Sequence, residues 1–190
     1  MWMARAYWIA VALAAAVATH AAFVLFVPAY WFSQQVHQIA GSNGQNSFFI
    51  LPPEDQARLF PGLPHNGVTG VCVFDVSKGD VTLSADLPDG FWVTTIYTDR
   101  GESIYSVNNR QSGANIFNVT LSLAPGFIDM LIQATDKERP EIDSGWTVMS
   151  PRPVGLAVVW YPLPDMALRA VTGDGIARTR CAQGIASPSQ

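Results

Sequence analysis

The sequence predicts a mainly β protein: a single N-terminal transmembrane helix followed by a small antiparallel β-sandwich or jelly-roll-like domain. Three observations predict it. An uncharged apolar run occupies the start of the chain, short alternating β-branched segments recur from Gly70 to Leu163, and turn residues rather than helical stretches separate them. The expected organisation is an anchor over 1–32, a linker with a docked proline-rich coil over 33–69, a β-domain over 70–164, and a short helix and tail over 165–190.

The anchor comes first. From Ala6 to Phe32 the run "AYWIAVALAAAVATHAAFVLFVPAYWF" holds no Asp, Glu, Lys or Arg. At about 1.5 Å per helical residue it can cross a hydrocarbon core of about 30 Å. Tyr7 and Trp8 at one end and Tyr30 and Trp31 at the other suit interfacial aromatic belts, and Pro28 marks the expected end of the helix. A cleaved secretory signal is the competing reading, but its apolar region spans only about 7–15 residues before a small-x-small site, and His20 interrupts "VATHAAF". Arg5 precedes the span, and the next basic residue, Arg58, lies beyond the roughly 15–20 residues that set orientation. The expected location is therefore a bacterial inner membrane, with the C-terminal domain in the oxidising periplasm. His20 is the one ionisable side chain inside the span. It either shares a hydrogen bond with Thr19 or a backbone carbonyl, or it faces a helix of another membrane protein.

The residues after the span are polar. "SQQVHQIAGSNGQNS" (33–47) predicts a linker that lifts the domain off the bilayer, beginning at most with a helical turn. "FFILPPEDQARLFPGLPHNG" (48–67), with its prolines and short apolar clusters, predicts an extended coil laid over a core. Eight strands are then expected: "GVCVFDV", "DVTLSADL", "FWVTTIYT", "ESIYSVN", "IFNVTLSL", "FIDMLIQA", "GWTVMS" and "VGLAVVWYPL". The separators are Ser77-Lys78-Gly79, which predicts a hairpin, Asp99-Arg100-Gly101, Ala124-Pro125-Gly126 and Pro151-Arg152-Pro153. "VGLAVVWY" is too short for a second span and is bracketed by Pro153 and Pro162, so it is a buried strand. The tail predicts one helix, "DMALRAV", broken by Gly173 and Gly175, and then frayed residues "IASPSQ".

Composition narrows the function classes. The 190 residues are 49% hydrophobic and 14% charged, where a soluble domain carries about 25% charged residues. The net charge of −4, without a basic run, removes the electrostatic footprint that nucleic acid requires. The expected partners are the membrane itself and another envelope or membrane protein.

The segment "VCVFDVSKGDVTLSADLPDGFWVTTIYTDRGESIYSVNNR" resembles the bacterial domain of unknown function 1254, often paired with a domain numbered 1214. The likeness runs through the strand ending in Asp75, the turn Ser77-Lys78-Gly79, the strand Val81–Leu87, and Asp89-Gly90-Phe91-Trp92 leading to Tyr97. With "FFILPPEDQA" and one N-terminal helix, the chain is similar to a short membrane-anchored branch of that family. It departs from the longer members where Asn66-Gly67-Val68-Thr69 stands in place of an Asn-Arg-Asp-Thr run. The resemblance implies a β-rich domain and supplies no reaction.

Candidate chemistry gathers at one hairpin. Asn108, Asn109 and Arg110 end it, and Trp92, Tyr97 and Tyr105 lie along it; aromatic faces beside amides and a guanidinium can bind a glycan or carboxylate. The competing reading is a solvated turn whose Asn side chains bond their own backbone. No catalytic residue is assigned. His37 and His65 have no nucleophile elbow to serve, and Asp86, Asp89, Asp129, Asp136, Glu138, Glu141 and Asp143 include no selected pair; "TDKERPEID" is an exposed loop. No spacing predicts a metal site, and no cofactor is expected. The function expected is binding or scaffolding of an envelope partner or ligand, with an envelope enzyme using a carboxylate near 89–110 as the alternative. Cys72 and Cys181 either form a disulfide in the oxidising compartment or stand as a buried core residue and a free tail thiol.

Overall fold

The computed structural model describes residues 2–126 and 146–184. The expected strand "FIDMLIQA", the loop "TDKERPEID" and the tail "IASPSQ" lie outside the described residues. A long helix, α1 (Trp2–Asn43), leads into β1 (Phe48–Ile50), α2 (Pro53–Leu59), β2 (Gly67–Asp75), β3 (Val81–Asp86), β4 (Val93–Thr98), β5 (Ser103–Asn108), α3 (Asn109–Ser112) and β6 (Ile116–Leu123). Then come β7 (Trp146–Ser150), β8 (Val154–Pro162), a 3₁₀ turn (Met166–Leu168), α4 (Arg169–Ile176) and β9 (Arg180–Gln183). The described strands form a five-stranded sheet in the order β1-β2-β8-β4-β5 and a four-stranded sheet in the order β7-β6-β3-β9. All pairs are antiparallel except β6 with β7, which run parallel, contrary to the purely antiparallel expectation.

α1 is long and apolar enough to cross a membrane. It does not stop at Pro28, which lies inside the helix. A proline removes one backbone donor, and a helix in an apolar setting absorbs that loss by local adjustment. Nor are residues 33–43 a linker. Phe32, Val36, Ile39 and Ala40 recur at helical spacing, with polar side chains between them, and this stripe lies on the outer face of the five-stranded sheet. There Val36 and Ile39 cover Val71 and Val73 of β2 and Leu156 and Val158 of β8, with Leu51 beside them. The expected docked coil likewise resolves into β1 and α2, and α2 takes Pro53 in its first turn, where the missing N–H costs nothing.

β2 explains why its sequence is a near-continuous apolar run. Val71 and Val73 face α1, while Val68, Cys72 and Phe74 enter a second cluster shared by the two sheets. That cluster takes Ile96, Ala157 and Val159 from the first sheet and Leu83, Phe117, Val119, Val148 and Cys181 from the second. Ser77-Lys78-Gly79 is thus not a hairpin turn, because β2 and β3 belong to different sheets; it carries the chain across the shared core, as Pro151-Arg152-Pro153 does between β7 and β8. Asp99-Arg100-Gly101 does turn a true hairpin between β4 and β5, with Gly101 at φ 84°.

α4 runs through Gly173 and Gly175 rather than breaking at them, and β9 then pairs with β3 from Arg180 to Gln183. Cys181 is bonded to Cys72 across the core, with Cα atoms 6.4 Å apart.

Candidate functional site

The hairpin residues do not gather. Trp92 is 0% exposed and stacks on Phe117 in the shared core, ring centroids 5.2 Å apart. Tyr97 points to the opposite face, against Phe32 of α1 at 5.9 Å. Tyr105 meets Trp146 edge to face at 6.2 Å, and its partial burial raises its pKa. Alternation from Trp92, just before β4, into the strand separates it from Tyr97: Trp92 shares the inner cluster with Ile96, and Tyr97 faces the other way.

The polar end of the hairpin is a helix start. The Asn108 side chain accepts from the backbone N–H of Arg110 at 3.0 Å and of Gln111 at 3.1 Å, and the Gln111 side chain accepts from the N–H of Asn108 at 3.1 Å. This reciprocal box caps α3, and Gly113 closes it in the left-handed region at φ 69°. Asn109 has a buried Oδ1 without a hydrogen-bond partner among the described residues, and of the three only Arg110 is exposed. Asn108→Ala is therefore expected to cost about 1 kcal/mol of stability and Arg110→Ala less than about 0.5 kcal/mol. Denaturant titration of both variants checks the difference; equal losses would show that the cap is not what holds this turn.

The carboxylates near the hairpin are engaged. Asp89 accepts from Asn115, Asp99 pairs with Arg152, and Glu102 accepts from Thr98. Tyr161 donates to the Asp89 carbonyl at 2.6 Å, and burial with the Asp89 charge raises its pKa. Among the described residues no three His, Cys, Asp or Glu side chains come together as a metal site would require.

A different cluster forms a concavity. An open groove of about 350 Å³ lies where β1 and the start of α2 meet α4, walled by Ile50, Leu51, Pro52 and Val68. Arg169 and Asp174 of α4 supply its charge. Among the described residues Arg169 is held by neutral acceptors: Nη1 donates to the Gly67 carbonyl at 2.8 Å and Nη2 to Gln56 Oε1 at 3.4 Å. Gln56 is 2% exposed and donates in turn to the Pro64 carbonyl at 3.3 Å, so one buried amide orients the guanidinium and ties down the loop before β2. Among the described residues the ion pairs are Arg58 with Asp55 and Arg152 with Asp99, which leaves Arg169 without a carboxylate. A partly buried guanidinium with three N–H donors unused among the described residues, beside an apolar wall, can hold an anion by paired, charge-assisted bonds. One turn along α4 from Arg169, and so on the same face, Gly173 leaves open space, since a Cβ there would meet nothing within 4 Å. Sequence reasoning missed this site because Gln56 and Arg169 are separated by 113 positions and neither belongs to a motif.

Fold and groove together define, among the described residues, a helix-led β protein of two sheets with a charged cleft where β1 and α2 meet α4. No family profile matches the chain, and no curated protein does. Among solved structures it is similar to the VPA0106 protein from Vibrio parahaemolyticus, with a TM-score of 0.54 and 10% identity over 83% of this chain and 36% of that one. An uncharacterized protein from Burkholderia cenocepacia aligns with a TM-score of 0.48 and 13% identity, over 80% of this chain and 38% of that one. The chain thus spans little more than a third of these structures, and the likeness to the Vibrio protein is one of fold.

Proposed function

We propose that this chain is a single-pass bacterial inner-membrane protein whose β-domain, on the periplasmic side, binds an amphiphilic monoanion in the Arg169 groove. The observation that carries the reading is Arg169 itself, oriented by a buried amide and unpaired by any described carboxylate, at the mouth of an apolar-walled cleft. An apolar wall with one cation suits a carboxylate bearing a short hydrocarbon portion, and Asp174 at the groove disfavours ligands of higher negative charge. Arg5 before the span supports the orientation, and the Cys72–Cys181 bond suits an oxidising compartment. In the same reading the two sheets close around their shared core as a small β-sandwich, in keeping with the resemblance to the domain of unknown function 1254.

Octanoate, octanol and octylammonium are the probes. Octanoate is expected to raise the melting temperature of the full chain in detergent, with the neutral and cationic analogues without effect. Arg169→Ala should weaken octanoate binding by about tenfold or more, since hydrogen bonds to a charged group contribute about 1.5–3 kcal/mol. Gly173→Leu should block binding while leaving the helix sound, because leucine is the better helix former. Equal stabilisation by all three probes, or octanoate binding that survives both substitutions, overturns the assignment.

A further inference from the structure

We propose that the β4–β5 turn, Thr98 to Glu102, rests on the lipid headgroups of the bilayer that α1 crosses, and that Arg100 binds a lipid phosphate there. The inference rests on the anchored reading above. Because α1 continues without a break from the apolar run into the domain, no linker separates the two. Tyr30 and Trp31 are 63% and 61% exposed, and aromatic residues of this kind at the end of a span settle at the membrane interface. Phe32, one residue on, already touches the domain: its ring packs on Tyr97, and a methyl group placed on Gly101 would lie 3.1 Å from its Cγ. At about 1.5 Å of rise per residue, the turn and the aromatic pair lie at nearly the same height along α1.

The turn is held in one shape. Thr98 Oγ1 accepts from the backbone N–H of Arg100 at 3.2 Å and of Glu102 at 3.3 Å, and the Gly101 N–H donates to the Thr98 carbonyl at 3.1 Å. Both of its acids have partners within the fold, Asp99 at a buried position and Glu102 at an exposed one. Asp99 is 9% exposed and receives two bonds from Arg152, the Nη2 to Oδ2 bond being 2.8 Å, while Glu102 Oε2 accepts from Thr98 at 3.4 Å and also faces the Arg152 charge. Arg100 alone remains: it is exposed, and its guanidinium has no partner among the described residues. An unpaired guanidinium at the level of the aromatic belt matches the forked geometry of a lipid phosphate, and a charged side chain of this length reaches the headgroups while its stem lies on apolar groups.

The test uses the full chain in vesicles of phosphatidylethanolamine and phosphatidylglycerol carrying a nitroxide on the headgroup or at mid-chain. Because both native cysteines are bonded, a single introduced cysteine labels selectively. A fluorophore at Ser103→Cys, beside the turn, is expected to be quenched several-fold more by the headgroup nitroxide than one at Ala114→Cys, which lies about 20 Å away beyond the far end of β5. Adding Arg100→Glu to the Ser103→Cys background should sharply reduce that quenching. Equal quenching at the two sites, with a Val17→Cys label quenched by the mid-chain nitroxide, overturns the inference and leaves the anchor standing. Quenching at Ser103→Cys that Arg100→Glu leaves unchanged overturns the phosphate contact. An unquenched Val17→Cys label overturns the anchored reading itself.

Discussion

Replacing Cys72 and Cys181 together with alanine is expected to destabilise the β-domain by on the order of 4.7 kcal/mol, the value that chain-entropy reasoning gives for a cross-linked loop of about 100 residues. The bridge here closes a separation of 109. A domain is stable by only about 5–15 kcal/mol in all, so a loss of this size removes a large share of the margin. The placement of the bond argues for the upper part of the range. Cys72 lies in β2, which is paired on both sides within the first sheet, whereas Cys181 lies in β9, an edge strand of the second sheet held by four register pairs to β3. Without the bridge, the described tail keeps those pairs, the Gly184 N–H to Asp80 carbonyl bond and the packing of α4 to order it. Urea titration should show a large drop in midpoint for the double variant, and reductant should reproduce the drop in the unaltered chain but do nothing further to the variant. A midpoint insensitive to both would mean that the bond contributes nothing to stability.

The parts of the fold legible in the sequence are those governed by local pattern. The β4–β5 hairpin shows itself because Gly101 supplies the left-handed turn that the flanking alternation requires, and β3, β6 and β8 show themselves through β-branched residues bounded by turn signals. What misleads is pairing. Ser77-Lys78-Gly79 has hairpin chemistry, yet whether a turn returns a strand to its own sheet or carries it across a core depends on which faces must be buried, and β2 has to bury both. The helix beyond Pro28 was present in the spacing of Phe32, Val36, Ile39 and Ala40, but its polar intervening residues and nearby glycines gave the same stretch the composition of a linker. The candidate site was the least legible part. Asn108 and Arg110 looked like ligand contacts because polar residues at a hairpin end serve caps and sites alike, whereas Arg169 and Gln56 acquire meaning only when the fold brings β1, α2 and α4 together.

Trp92→Ala is expected to cost about 3–5 kcal/mol, the range for removing a fully buried aromatic side chain, and Trp92→Phe far less. The indole is entirely enclosed, stacked on Phe117, and it shares its cluster with residues of both sheets, so alanine leaves a cavity that two sheets would have to close on. Phenylalanine keeps an aromatic face for the stack. It also removes the indole N–H, which is buried without a hydrogen-bond partner among the described residues, and deleting an unsatisfied donor offsets part of the volume lost. The pair of variants separates two roles that the sequence left open. If Trp92 were a ligand platform on the hairpin surface, both substitutions would reduce binding and neither would move the unfolding midpoint greatly. As a core residue it should show the reverse: a steep midpoint loss for Trp92→Ala, a small one for Trp92→Phe, and octanoate affinity in Trp92→Phe equal to that of the unaltered chain, since the Arg169 groove lies on other elements. Urea unfolding and octanoate titration of the two variants measure both quantities, and a Trp92→Phe protein that is fully stable yet has lost octanoate binding would overturn the core assignment.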